Sequence, residues 1–109
     1  MVKASVLIIA YNVERFVGQA LDSVLMQRVD FDYEIVMGED CSTDGTRAIV
    51  RQYASEHPSK IRAIIREQNL GMTENFVATL QACRGNYIAC WMATITGRHR
   101  TKYSVSSSA

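Results

Sequence analysis

The strongest constraint on this chain is a repeated alternation between short apolar runs and amphipathic stretches. Ser5–Tyr11 (SVLIIAY) is a continuous apolar run rich in β-branched residues, the pattern of a strand buried on both faces. From Glu14 to Gln27, Phe16, Val17, Ala20, Leu21, Val24 and Leu25 recur at helical spacing, so one stripe packs on the sheet. Asn12 stands where a cap for that helix belongs. Tyr33–Met37 reads as a second strand, and Lys60–Ile65 as a third. Between them, Arg47–His57 carries Ala48, Ile49, Tyr53 and Ala54 on one helical face, and Pro58 ends it. Thr73 opens a third helix with Phe76, Val77, Leu80 and Cys83 on its buried side and Gly85 as its C-terminal cap. Tyr87–Cys90 begins a fourth strand. Strands that alternate with amphipathic helices demand crossover connections, hence an α/β fold with a parallel sheet.

Composition narrows the function. The 109 residues suit one globular domain, and 12 basic against 11 acidic residues give a net charge of +1. That balance offers nothing to nucleic acid or to an anionic membrane surface. The basic tail segment Arg98–Lys102 lacks both helical pattern and an aromatic stacking platform. No apolar run is long enough to span a bilayer, and Val6–Ala10 is too short for a signal-peptide core. Cys41, Cys83 and Cys90 are odd in number and lack metal-ligand spacing, and His57 and His99 have no partners at such spacing. Reduced thiols and a cytoplasmic location are the expectation.

In an open parallel sheet, ligands bind beyond the carboxyl ends of the strands. Tyr11-Asn12, Glu39-Asp40 and Asn69 fall there. A carboxylate at Asp40 can accept hydrogen bonds from a base or a ribose hydroxyl; it can equally shape the turn before a helix. Tyr11 reads also as a strand-end aromatic, Asn69 and Gly71 as a simple turn, and Asp44 as a helix cap.

Together, SVLIIAYN, EIVMGEDCSTDGT, NLGMTENF and GNYIA, in this order, resemble the start of the inverting GT-A-fold glycosyltransferases of the family 2 type. The resemblance covers Lys3 to about Cys90. It implies a truncated, Rossmann-like GT-A sheet in the order 3-2-1-4 with helices on both faces. It also implies that Ala10, Tyr11 and Asp40 form the pocket for the nucleotide of a nucleotide-diphosphate sugar, usually UDP, with Tyr11 stacking on the base. Asn12, Glu14 and Asn69 fall near that pocket. Cys41 stands where glycine is also common and is expected to pack rather than react.

One departure matters. The family follows its fourth strand with an Asp-x-Asp or Asp-Asp motif that holds Mn²⁺ or Mg²⁺ against the diphosphate, and later with a catalytic base. Here the chain reads Cys90-Trp91-Met92-Ala93-Thr94-Ile95-Thr96-Gly97, with no acidic residue after Glu74. No catalytic residue, metal ligand or cofactor is therefore assigned to this chain. Back-translation suggests a cause. When the last base of the Cys90 codon opens a new frame, the first three codons are forced to Leu, Asp and Gly. The following four permit Asp, Asp, Tyr and Trp. The family's Leu-Asp-Gly-Asp-Asp-Tyr-Trp is thus available throughout.

Two regions are expected: a nucleotide-binding half over 1–90 and an out-of-frame, disordered tail over 91–109. The fourth strand should then present an exposed edge prone to aggregation. The complete enzyme would transfer a sugar with inversion in polysaccharide or glycoconjugate synthesis, whereas this chain would be inactive. The alternative is a non-catalytic nucleotide-binding module acting through a partner. A phospho-acceptor domain built on Asp40 fails, because its acids and lysine at later strand ends are missing.

Overall fold

The computed structural model describes residues 2–27, 31–93 and 99–106. The elements run β1 (Ala4–Ala10), α1 (Val17–Leu25), β2 (Tyr33–Glu39), α2 (Thr46–Glu56), β3 (Ile61–Ile65), α3 (Met72–Ala82), β4 (Tyr87–Ala93) and β5 (His99–Ser106). They form one sheet in the order β3-β2-β1-β4-β5. The first four strands are parallel, so the expected 3-2-1-4 core stands.

Period-two alternation along β1 and β2 divides the buried side chains between two layers. Ile8, Ala10, Ile35 and Met37 face α1 and α2 and pack with Val17, Leu21, Val24 and Val50. Leu7 and Ile9 join Ile88 and Cys90 on the other face, where Phe76, Leu80 and Cys83 of the α3 segment close over them. Burial pushes the Cys83 thiol up to about 11, helped by the nearby Glu34 carboxylate, so this thiol is a packing group rather than a nucleophile.

Several local expectations change. Helix α1 starts at Val17 rather than Glu14, and Phe16, not Asn12, precedes it. Asn12 instead adopts φ 52° and accepts a hydrogen bond from the Thr43 N–H (2.8 Å). A partner on the next loop outcompetes the local cap. In α2, Ala48 is exposed and Val50 is buried in its place.

Val77 of α3 is 45% exposed, while the polar Asn75 and Thr79 are buried. The reason is Gly38 on β2: a Cβ there would overlap the Thr79 hydroxyl and the Asn75 amide. The bare backbone admits the helix so closely that Asn75 Nδ2 donates to the Gly38 carbonyl (2.9 Å). Arg66 Nε donates in turn to Asn75 Oδ1 (2.8 Å). Gly85 does not cap α3, whose last turn is followed by extended Cys83; it sits against the β1 backbone.

At the amino end of the sheet, Glu34 is a second polar anchor. Its Oε2 accepts from the Ser5 hydroxyl (2.5 Å) and the Arg84 N–H (2.6 Å), and its Oε1 from Arg62 (3.0 Å).

Strand β5 falls in the stretch read from sequence as a disordered tail, and it pairs antiparallel with β4 through a register shift between Ala89 and Trp91. The alternation of Thr101, Tyr103 and Val105 with polar neighbours is itself strand-like. The open β4 edge expected from the sequence is consequently paired, and β3 and β5 are the outer strands. Thr94–Arg98 and Ser107–Ala109, which belong to the same expected tail, lie outside the described residues. No helix among the described residues is long and apolar enough to cross a membrane.

Candidate functional site

The carboxyl ends of β1, β2 and β3 bring three loops together. Ala10 closes β1 and is buried, and its carbonyl accepts from the Asp40 N–H (3.0 Å). Tyr11 follows at the surface, 47% exposed. Asp40 is only 2% exposed. Alternation places it on the α3 face, opposite Glu39.

The Asp40 carboxylate is held by the loop before α3: Oδ1 accepts from the Leu70 N–H (2.7 Å) and Oδ2 from the Gly71 N–H (3.0 Å). Asn69 Nδ2 donates to the Asp40 carbonyl (3.0 Å), and Cys41 Sγ donates to the Glu67 carbonyl (3.3 Å). Gly71 makes this possible, since its φ of 91° with ψ 158° is a conformation that only glycine adopts readily. Cys41 itself has φ 61°, which costs a side-chain-bearing residue about 1 kcal/mol relative to glycine.

A second set of bonds ties the β1–α1 loop to the β2–α2 loop. The Asn12 N–H donates to the Ser42 hydroxyl (3.0 Å), and the Val13 N–H to Thr46 Oγ1 (2.9 Å). Glu14 Oε1 accepts from the Gly45 N–H (3.0 Å), while the Glu14 N–H donates to Asp44 Oδ2 (3.2 Å). Asp44 Oδ1 also takes the first N–H of α2, from Thr46 (2.9 Å), although Gly45, rather than the Asp44 read from the sequence, occupies the cap position. Burial raises the Asp44 carboxyl, but hydrogen bonds from Thr46 and from the Glu14 backbone outweigh it and hold the group below its ordinary value.

The structure therefore brings Ala10, Tyr11, Asn12, Glu14, Asp40 and Asn69 to one end of the sheet. It engages the side chains of Asn12, Glu14 and Asn69 with neighbouring loops. Ser42, Thr46 and Arg47 were not singled out from sequence, and Gly71 was read only as part of a turn; the dense turn cluster Gly38–Thr46 was the signal that could have found the first two. Among the described residues, no group of three or more His, Cys, Asp or Glu side chains could hold a metal ion. The donor set therefore does not fit the divalent cation that the resemblance implies for the complete enzyme.

This architecture is that of a known class. Residues 5–91 match glycosyl transferase family 2, and the chain belongs to that family. It is 40% identical over 85 residues to the uncharacterized protein Rv1520 of Mycobacterium tuberculosis, an alignment covering 78% of this chain and 25% of that protein. Among solved structures, S. aureus TarS in complex with UDP-GlcNAc superposes with a TM-score of 0.70 at 29% identity, over 83% of this chain and 26% of TarS. The mannosyltransferase PcManGT from Pyrobaculum calidifontis, in complex with GDP-Man and Mn²⁺, shares the fold with a TM-score of 0.72 at 23% identity, over 83% of this chain and 27% of that one. The chain thus spans about a quarter of the length of these relatives.

Proposed function

We propose that this chain is the nucleotide-binding half of an inverting transferase that moves a sugar from a nucleotide-diphosphate donor, a UDP-sugar, to an acceptor hydroxyl in cytoplasmic polysaccharide or glycoconjugate synthesis. The observation that carries it is the presence of a buried Asp40 carboxylate and an exposed Tyr11 ring, both at the carboxyl end of the sheet. Asp40 holds the base or ribose, Tyr11 stacks on the base, and Ala10 lines the pocket. Asn12, Glu14 and Asn69 support it by fixing the loops. The UDP-GlcNAc complex of TarS supports the donor class. Mn²⁺ or Mg²⁺ belongs to the complete enzyme, since the acids that would hold it have no counterpart after Glu74.

Calorimetric titration of the purified chain with UDP tests this reading. The expected result is weak binding that Mn²⁺ does not change, together with no sugar transfer. Tight metal-free binding would favour the module that acts through a partner. Absence of binding would remove the nucleotide from the account.

We further propose that a base was lost at or near the Cys90 codon. The family match ends at Trp91, one residue past the point where the shifted frame restores Leu-Asp-Gly-Asp-Asp-Tyr-Trp. Resequencing the DNA from Ala89 through Arg98 and beyond Ala109 should reveal the additional base and an open shifted frame. Confirmation of the present sequence, with no family-like coding in the shifted frame, would end this explanation.

A further inference from the structure

Glu39 is the last residue of β2 and is fully buried, yet it is not an isolated charge. Its Oε1 accepts from the Ser42 N–H (2.9 Å), closing the turn that contains Asp40 and Cys41. Its Oε2 lies 3.5 Å from Arg47 Nε, and neither atom has a hydrogen-bond partner. Arg47 reaches across from the first turn of α2 and donates through Nη2 to the Arg66 carbonyl (2.7 Å). The Arg66 N–H donates back to the Glu39 carbonyl (3.0 Å). One buried carboxylate and one guanidinium thus join the ends of β2 and β3 to the start of α2.

An ion pair with a fully buried carboxylate and a half-buried guanidinium, leaving one oxygen and one N–H unmatched, is a poor source of stability, because desolvation of the carboxylate offsets much of the attraction. Replacing such a pair by apolar side chains of similar volume is often neutral or stabilising. Its geometry does something that apolar side chains cannot do. The Ser42 bond fixes the path of the chain immediately after Asp40, where Cys41 turns through φ 61°. Asp40, on the opposite face, is thereby aimed at the loop amides of Leu70 and Gly71.

We infer that Glu39 is a positioning residue for the nucleotide site: its bond to the Ser42 N–H sets the Asp40 carboxylate, and Arg47 serves to neutralise it. This rests on the nucleotide-binding reading of Asp40. Two charge-free pairs separate positioning from mere packing. Glu39→Gln with Arg47→Met keeps an acceptor for Ser42, whereas Glu39→Leu with Arg47→Met removes it.

Both variants should remain folded, with the Leu pair less stable than the Gln pair because the Ser42 N–H loses its acceptor. UDP affinity should stay near wild type in the Gln pair and fall by about tenfold or more in the Leu pair. Equal UDP affinity in the two pairs, whether both strong or both weak, would overturn the inference. Should the wild-type chain itself bind no UDP, the nucleotide reading fails, and the positioning role is read without ligand from the Leu70 and Gly71 amide proton resonances. These should move in the Leu pair and stay in the Gln pair; unmoved resonances in the Leu pair would overturn the inference on their own.

Discussion

Replacing Gly85 by alanine should prevent this chain from folding stably. A Cβ at Gly85 would lie 2.5 Å from the Ala4 carbonyl carbon and 2.5 Å from the Ser5 nitrogen. Both are backbone atoms inside the sheet, so no rotamer change can make room. Relief requires moving the segment between α3 and β4 away from β1, and that segment carries two anchors. The Gly85 N–H donates to Ser5 Oγ (2.8 Å), and the Arg84 N–H to Glu34 Oε2 (2.6 Å). Breaking either leaves a buried polar group without its partner. The combined loss is about 3 kcal/mol or more, a fall in unfolding temperature of about 10 °C or more for a domain of this size.

Gly18→Ala is the matched control. Its Cβ would meet the Tyr53 hydroxyl at 3.4 Å, close to ordinary contact, and alanine is the better helix former by about 1 kcal/mol. That variant should unfold at or slightly above the wild-type temperature. Thermal unfolding followed by circular dichroism measures both. A Gly85→Ala chain as stable as wild type would show that the approach to β1 is not tight in solution.

The example also shows what local pattern reveals and what it leaves hidden. The strands and the stripe of α1 follow from short-range periodicity, because each is satisfied by residues a few positions away. Gly85 was read as a helix cap since glycine after a helical stretch usually ends it. Its actual constraint is backbone 80 residues earlier, which no local signal encodes. The buried face of α3 was read incompletely for the same reason: Phe76, Leu80 and Cys83 do pack on the core, but Val77 does not. Val77 fits a helical stripe, but what the helix meets is Gly38 and Arg66, so Asn75 and Thr79 turn inward to pair with them.

The site divides along the same line. The placement of Tyr11 and Asp40 at the carboxyl ends of β1 and β2 was legible from the strand order alone, the end of the sheet where such folds bind ligands, whereas Ala10 entered only through the family resemblance. Whether Asn12 and Glu14 meet a ligand or another loop was not legible. Their partners Thr43 and Gly45 each lie 31 residues on, and only the folded sheet brings those turns together. Strand β5 escaped because a serine-rich stretch carries little apolar weight, although a paired edge needs only backbone.

Removing the Asp40 carboxylate should damage both the loops and the ligand site, and in separable ways. In Asp40→Ala the Leu70 and Gly71 N–H groups lose their acceptors. Hydrogen bonds to a charged acceptor are worth about 1.5–3 kcal/mol each, less whatever water can replace. The loop before α3 then loosens, while the strands, whose core is apolar, remain paired. In Asp40→Asn one carbonyl oxygen remains to accept, but the amide NH₂ must face the second backbone N–H, donor against donor. Stability should therefore rank wild type, then Asn, then Ala.

Affinity for UDP should not follow that ranking. Under the nucleotide-binding role proposed for Asp40, neither variant presents the accepting carboxylate, so both should fall to undetectable binding in the titration that reveals it for wild type. Hydrogen exchange at Leu70 and Gly71 supplies the independent check, with protection partly lost in Asn and largely lost in Ala. If Asp40→Asn bound UDP like wild type while exchange at the two amides rose, the carboxylate would be a loop clamp alone. Recognition of the nucleotide would then have to come from Tyr11 and the backbone around Ala10.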